Sequence, residues 1–198
     1  MDLIWENIKQ IAEDNHGLIK TSQVELAGIS RPMLKKYKDK GNLQCVRKGL
    51  YALTDTIVDE YLLIQVQKED AVFSYGTALY LWGLSDRTPH YMDVTVPRGA
   101  NCSRLKRNNP HIRFHYVSDS VYDLGICEMN SPQGNKIKVY DRERCICDII
   151  RNKESMDLQI FSQAIKEYFK SKPNLRRLIK YSKTFEIEES VRTYMEVL

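Results

Sequence analysis

Arg31, Lys35 and Lys38 recur at i, i+4 and i+7, a spacing that sets them on one face of a helix. A row of such cations suits phosphate oxygens, and a guanidinium also suits the base edges of a major groove. Ser30 stands directly ahead of the row, where its hydroxyl is a good N-cap. A little further on, Arg47 and Lys48 precede Gly49 and place two positive charges at the tip of a short hairpin. A solvated cationic face would share this pattern. The sign of the charge separates the two readings, because Ile29 to Leu50 holds seven Lys or Arg against Asp39 alone. Thr56 to Pro97 has the opposite balance, six acids against two bases, so charge is segregated along the chain.

A second basic stretch, PRGANCSRLKRNNPH, holds Arg98, Arg104, Lys106 and Arg107 and no acid. As a loop or short helix it fits a phosphate backbone or an acidic partner as well as plain solvent. A third basic block runs from Lys166 to Lys183, seven bases against Glu167. Catalytic and metal chemistry have weaker signals. Ser74, Tyr75 and Thr77 cluster without a His and Asp at a recognisable spacing, which favours capping and packing. His111 and His115 share a face but lack a third ligand, and Cys145 and Cys147 form C-x-C without a second pair, so no metal site is expected. The sequence has no phosphate-cradling glycine loop, no nucleophile elbow and no H-E-x-x-H, and no cofactor is expected. No acid lies two residues before a Lys, so the E-x-K half of a two-metal nuclease motif is missing too.

The elements that must position the first row read clearly. Asp2 to Asn15 places Ile4, Ile8, Ile11 and Ala12 on one face of a first helix, and GLIK suits a short strand. In TSQVELAG, Ser22 and Glu25 stand three apart as a capping box ahead of Val24, Leu26 and Ala27. A Gly28 turn then leads to the cationic helix, whose Pro32 sits in the first turn, whose Met33, Leu34 and Tyr37 pack, and which Gly41 closes. LQCVRKGLYAL reads as two strands about Lys48-Gly49. Short helix, tight turn, cationic helix and cationic hairpin make a winged helix-turn-helix, predicted over residues 1–55.

A second domain, residues 56–198, is predicted to hold a helix from Ile57 to Val66, then a buried strand and a helix beginning near Ser74 to Thr77. Tyr80, Leu81, Trp82 and Leu84 mark that helix as core. Strands follow at Tyr91 to Val96, Ile112 to Val117, Gly125 to Met129 and Lys136 to Tyr140. Asp141 to Arg151 returns to helical period with Cys145, Ile146, Ile149 and Ile150 inward. From Met156 the chain is helical, with Leu158, Ile160, Phe161, Ile165, Tyr168 and Phe169 packing, and with Asn174 capping the next helix. The fold class is therefore α+β, a winged helix followed by a mixed-sheet domain with several helices. With 198 residues and 42% hydrophobic content the chain can bury two cores. Five cysteines without framework spacing suggest reduced thiols, no segment reads as a signal peptide or membrane span, and a cytoplasmic location is expected.

The order GISRPMLKKYKDKGNLQCVRKGLYAL, FSYGTALYLWGLSD, MDVTVPRG, KIKVYDRERCICDIIR resembles the AbiEi antitoxins of bacterial abortive-infection toxin–antitoxin systems. The resemblance implies a non-enzymatic repressor that binds its own promoter DNA through the winged helix, at inverted repeats. It further implies a C-terminal domain that counters a nucleotidyltransferase-like toxin, with or without a stable complex. Ser30, Arg31, Lys35, Lys38, Arg47 and Lys48 are the positions to which a DNA-reading role carries over. Tyr37 stands where that family more often has an aliphatic residue. The alternative keeps the DNA-binding domain and makes the second domain an enzyme, a nuclease or a nucleotidyl transferase.

Overall fold

Short apolar runs separated by glycine turns build, in a computed structural model that describes residues 2–197, two units divided after Leu63. The first opens with α1 (Leu3–Glu13), which buries Ile8 and Ala12, and continues into β1 (Leu18–Lys20). Next come α2 (Thr21–Leu26) and α3 (Arg31–Asp39), then β2 (Leu43–Arg47) and β3 (Leu50–Leu53). The three strands form an antiparallel sheet in the order β1-β3-β2. Ile8, Ala12, Ile19, Val24, Ile29, Leu34, Tyr37 and Leu43 make one core beneath it. The winged helix-turn-helix order expected from the sequence is the order observed.

Both helices of the motif end in the same way. Gly28 donates its N–H to the Glu25 carbonyl at 3.0 Å and Ile29 to that of Val24 at 3.0 Å, the paired bonds of a Schellman cap. After α3, Gly41 bonds Lys38 at 2.9 Å and Asn42 bonds Tyr37 at 3.0 Å. The glycines take φ of +76° and +81°, the left-handed region that side chains resist. The cap turns Ile29 into the core, while Leu26 and Ala27 face outward.

The expected Ser22–Glu25 capping box does not form. The Thr21 N–H bonds the Gly49 carbonyl at 3.0 Å, which ties the first residue of α2 to the sheet, and the Gln23 side chain accepts from the Lys20 N–H at 3.0 Å. Glu25 is thereby free to serve α3. The helix expected from Ile57 begins instead as α4 (Glu60–Gln67), which runs through the division between the units. Asp59 caps it by accepting from Tyr61 at 2.9 Å and Leu62 at 3.3 Å, a role that exposed Ile57 cannot fill.

The second unit contains β4 (Val72–Phe73), α5 (Tyr75–Leu81), β5 (Met92–Pro97), α6 (Ser103–Asn108), β6 (Ile112–Val117) and α7 (Asp119–Tyr122). It continues through β7 (Ile126–Asn130), β8 (Lys136–Tyr140), α8 (Arg142–Arg151), α9 (Leu158–Lys170), α10 (Leu175–Thr184) and α11 (Glu188–Val197). Its five strands form a mixed sheet in the order β6-β5-β4-β8-β7. The β5–β6 and β4–β8 pairs are parallel and the other two antiparallel. The architecture is thus α+β, as expected.

Helix α8 packs against α5, α9, α10 and α11 and is buried all round from Glu143 to Ile150, not only along its expected apolar stripe. Arg144 is 1% exposed. Its Nε lies 3.1 and 3.0 Å from the two carboxylate oxygens of Asp148, and Nη1 donates to the carbonyls of Val121 at 2.5 Å and Leu124 at 2.8 Å. Tyr140 and Phe185 flank its guanidinium, 4.2 and 4.6 Å from the ring centroids. Two further expectations shift. Tyr80, Leu81 and Trp82 are half-buried, and Trp82 reaches the Tyr140 carbonyl through Nε1 at 2.8 Å, while Thr77, Ala78 and Leu79 form the core of α5. Leu158, the first residue of α9, is exposed.

Candidate nucleic-acid interface

Two buried side chains set the rotation of α3. Leu34 and Tyr37 are 1% and 4% exposed and face the core, and Met33 is half-buried beside them. Tyr37 is held on three sides. Its hydroxyl donates to Asp2 Oδ2 at 2.6 Å, its ring stacks on Trp5 at 5.1 Å, and the Lys40 ammonium lies 5.9 Å from its centroid. The bond to Asp2 pushes the Tyr37 phenol up to about 12 and holds the Asp2 carboxyl below its ordinary value. The aromatic residue at this position therefore anchors the helix.

With that face fixed, Arg31, Lys35 and Lys38 all project outward, and Lys36 joins them. Among the described residues Lys35, Lys36 and Lys38 have no ion-pair partner. Ser30 occupies the N-cap position, yet its hydroxyl makes no capping bond. Arg31 is paired: Nε donates to Glu25 Oε1 at 2.5 Å and Nη2 to Oε2 at 3.4 Å, a bond that raises the guanidinium above its ordinary value. Sequence spacing had offered Glu25 only to Ser22.

The hairpin tip follows from Gly49, whose φ of +82° turns the chain after Lys48. Lys48 is exposed and Arg47 half-buried, and the register shifts between Cys45 and Arg47. Helix α3 packs against β2, so the helix and the hairpin belong to one folded unit. Arg98 follows β5, and Arg104, Lys106 and Arg107 line α6, all of them exposed. They belong to the second unit, where buried Cys102 and Leu105 fix α6 as the crossover between β5 and β6.

The hydroxyl candidates and His115 are occupied by structure. Ser74 Oγ accepts from Thr95 Oγ1 at 2.8 Å, Thr77 Oγ1 accepts from the Asp93 N–H at 2.7 Å, and Tyr75 OH lies 3.1 Å from Asn152 Nδ2. His115 pairs with Asp93 at 2.8 Å and stacks on Tyr75 at 4.0 Å. Cys145 and Cys147 are buried, and burial pushes both thiols up. Among the described residues no three His, Cys, Asp or Glu side chains are grouped to hold a metal ion, and no helix is long and apolar enough to cross a membrane.

Residues 6–54, the span from α1 to the end of the hairpin, match the family model described as "Transcriptional regulator, AbiEi antitoxin", the family that the order of motifs resembles. No curated protein matches the sequence significantly. In fold, the chain is similar to the RV2827C protein of Mycobacterium tuberculosis, known from its crystal structure. That likeness has a TM-score of 0.60 at 14% identity and covers 89% of this chain and 69% of that one. The shared architecture therefore extends well beyond the matched segment.

Proposed function

We propose that this protein, whose N-terminal unit carries the match to the AbiEi antitoxin regulators, is a duplex-DNA-binding autorepressor of a toxin–antitoxin operon. On this reading α3 enters the major groove of promoter DNA at inverted repeats, with Arg31, Lys35 and Lys38 at or beside base edges and Ser30 on a phosphate. Arg47 and Lys48 meet phosphate or the minor groove from the hairpin. The observation that carries the reading is the row of outward cations on α3, set opposite a face locked into the core by Leu34 and Tyr37. The second unit counters a nucleotidyltransferase-like toxin in the cytoplasm, and the exposed basic residues from Arg98 to Arg107 are a candidate second contact surface.

Gel shift or anisotropy with promoter and scrambled duplexes tests the DNA-binding half. Arg47→Ala with Lys48→Ala is expected to weaken binding to every sequence and to make the slope of log K against log salt shallower by about one unit per lost phosphate contact. Arg31→Ala is expected to narrow the gap between promoter and scrambled DNA as well. Unchanged binding in both variants removes α3 and the hairpin from the mechanism. For the other half, co-elution of the full chain with the toxin supports docking, and rescue of growth without co-elution supports indirect antagonism.

A further inference from the structure

The contact between Arg31 and Glu25 is directional. The carboxylate lies along the side edge of the guanidinium, taking Nε at 2.5 Å and one Nη2 hydrogen at 3.4 Å. Both Nη1 hydrogens and the second Nη2 hydrogen are left over, so the end edge presents two near-parallel N–H groups. Among bases in a major groove, guanine alone offers two neighbouring acceptors, O6 and N7, to such a pair. Adenine sets a donor beside its N7, and thymine offers a single acceptor.

The fold stiffens this arrangement. Glu25 lies in the last turn of α2 and Arg31 is the first residue of α3, and the Schellman cap at Gly28 and Ile29 closes the short connection between them. Arg31 thus stands at the N-terminal end of α3, the end that helix-turn-helix proteins direct at base edges. A free arginine side chain would lose rotamer freedom on contacting a base, whereas one already braced loses less. A carboxylate in this position also repels phosphate, so it lowers affinity for DNA in general. That cost is intelligible where discrimination is the gain.

We propose that Glu25 is a positioning residue that holds the Arg31 guanidinium end-on, and that Arg31 thereby reads a guanine in the major groove. The inference rests on the reading of α3 as a recognition helix. The test uses full-length protein and a duplex that the wild type selects from a randomised pool, each base pair of which is then replaced in turn. One G·C pair is expected at which replacement by A·T, or of its guanine by 7-deazaguanine, weakens wild-type binding by about tenfold or more. In Glu25→Ala and Glu25→Gln the same replacement is expected to cost about threefold or less, with binding to the replaced duplex unchanged or tighter. In Arg31→Ala the preference is absent, and Glu25→Ala adds nothing on that background. A merely structural loss would weaken all duplexes alike and leave the ratio untouched. Full guanine preference in both Glu25 variants, or a wild type with no Arg31-dependent guanine, overturns the proposal. Selection of no duplex at all by the wild type instead overturns the reading of α3 on which it rests.

Discussion

Arg144 and Asp148 lie one helical turn apart, and both sit at positions where a surface helix would be wet. In this protein they are 1% and 4% exposed, and the pair is tolerated because Nε of Arg144 meets the Asp148 carboxylate while Nη1 meets two backbone carbonyls. Arg144→Met is expected to cost about 3–5 kcal/mol, because Asp148 would be left buried without its counter-charge. Adding Asp148→Asn should recover part of the loss, since an amide is cheaper to bury than a carboxylate. Urea unfolding of the two variants checks both statements. The sequence could not display this pair as buried: DRERCICDIIR has an acceptable apolar stripe by itself, and only the helices around α8 remove its other faces from water. The same limit hid the partner of Arg31. An i, i+4 spacing is visible along one helix, whereas Glu25 meets Arg31 across a turn.

At the scale of elements, punctuation was more legible than packing. Gly28, Gly41 and Gly49 mark turns by the backbone angles they allow, Pro32 sits in the first turn of α3, and the elements from the end of α2 to the start of β3 begin or end near them. An alanine methyl at Gly28 or Gly41 would meet nothing within 4 Å, so the cost of substitution there is purely that of a left-handed backbone. Gly28→Ala and Gly41→Ala are each expected to destabilise by about 1–2 kcal/mol, measured as a shift in the urea midpoint at constant slope. Gly125→Ala should cost more, because φ is +85° and the new carbon would lie 2.8 Å from Arg144 Cβ. Helix starts were less legible than helix ends. A capping residue acts only from the position ahead of the helix, and Ser22 lost that role because α2 already begins at Thr21.

For the molecule as a whole, the titrating groups that folding disturbs most are weak acids. Burial, or a bond to a carboxylate, raises Tyr37, Tyr122 and Tyr181 to about 12 and pushes Tyr75, Tyr140 and Tyr168 upward too. Cys127 is pushed up to about 11 by burial, and Cys102, Cys145 and Cys147 shift in the same direction. A raised acid keeps its proton in the folded chain after the unfolded chain has lost it. Its contribution is therefore whole below the unfolded value and declines as pH climbs toward the folded one. Stability is expected to fall from about pH 9, where free thiols ionise, through the tyrosine range up to about 12. Urea midpoints recorded from pH 7.5 to 11.5 check this, and a flat profile contradicts it. None of it was legible in the sequence, which gives the number of phenols and thiols but not which of them the core encloses. The all-round burial of α8 has one more consequence, for synthesis on the ribosome. The first unit has all its residues once Leu63 has emerged, whereas α8 stays without part of its covering until α9, α10 and α11 have followed. A chain stalled after Arg151 would hold a complete first unit together with a charged helix that stands open to water, and to proteases.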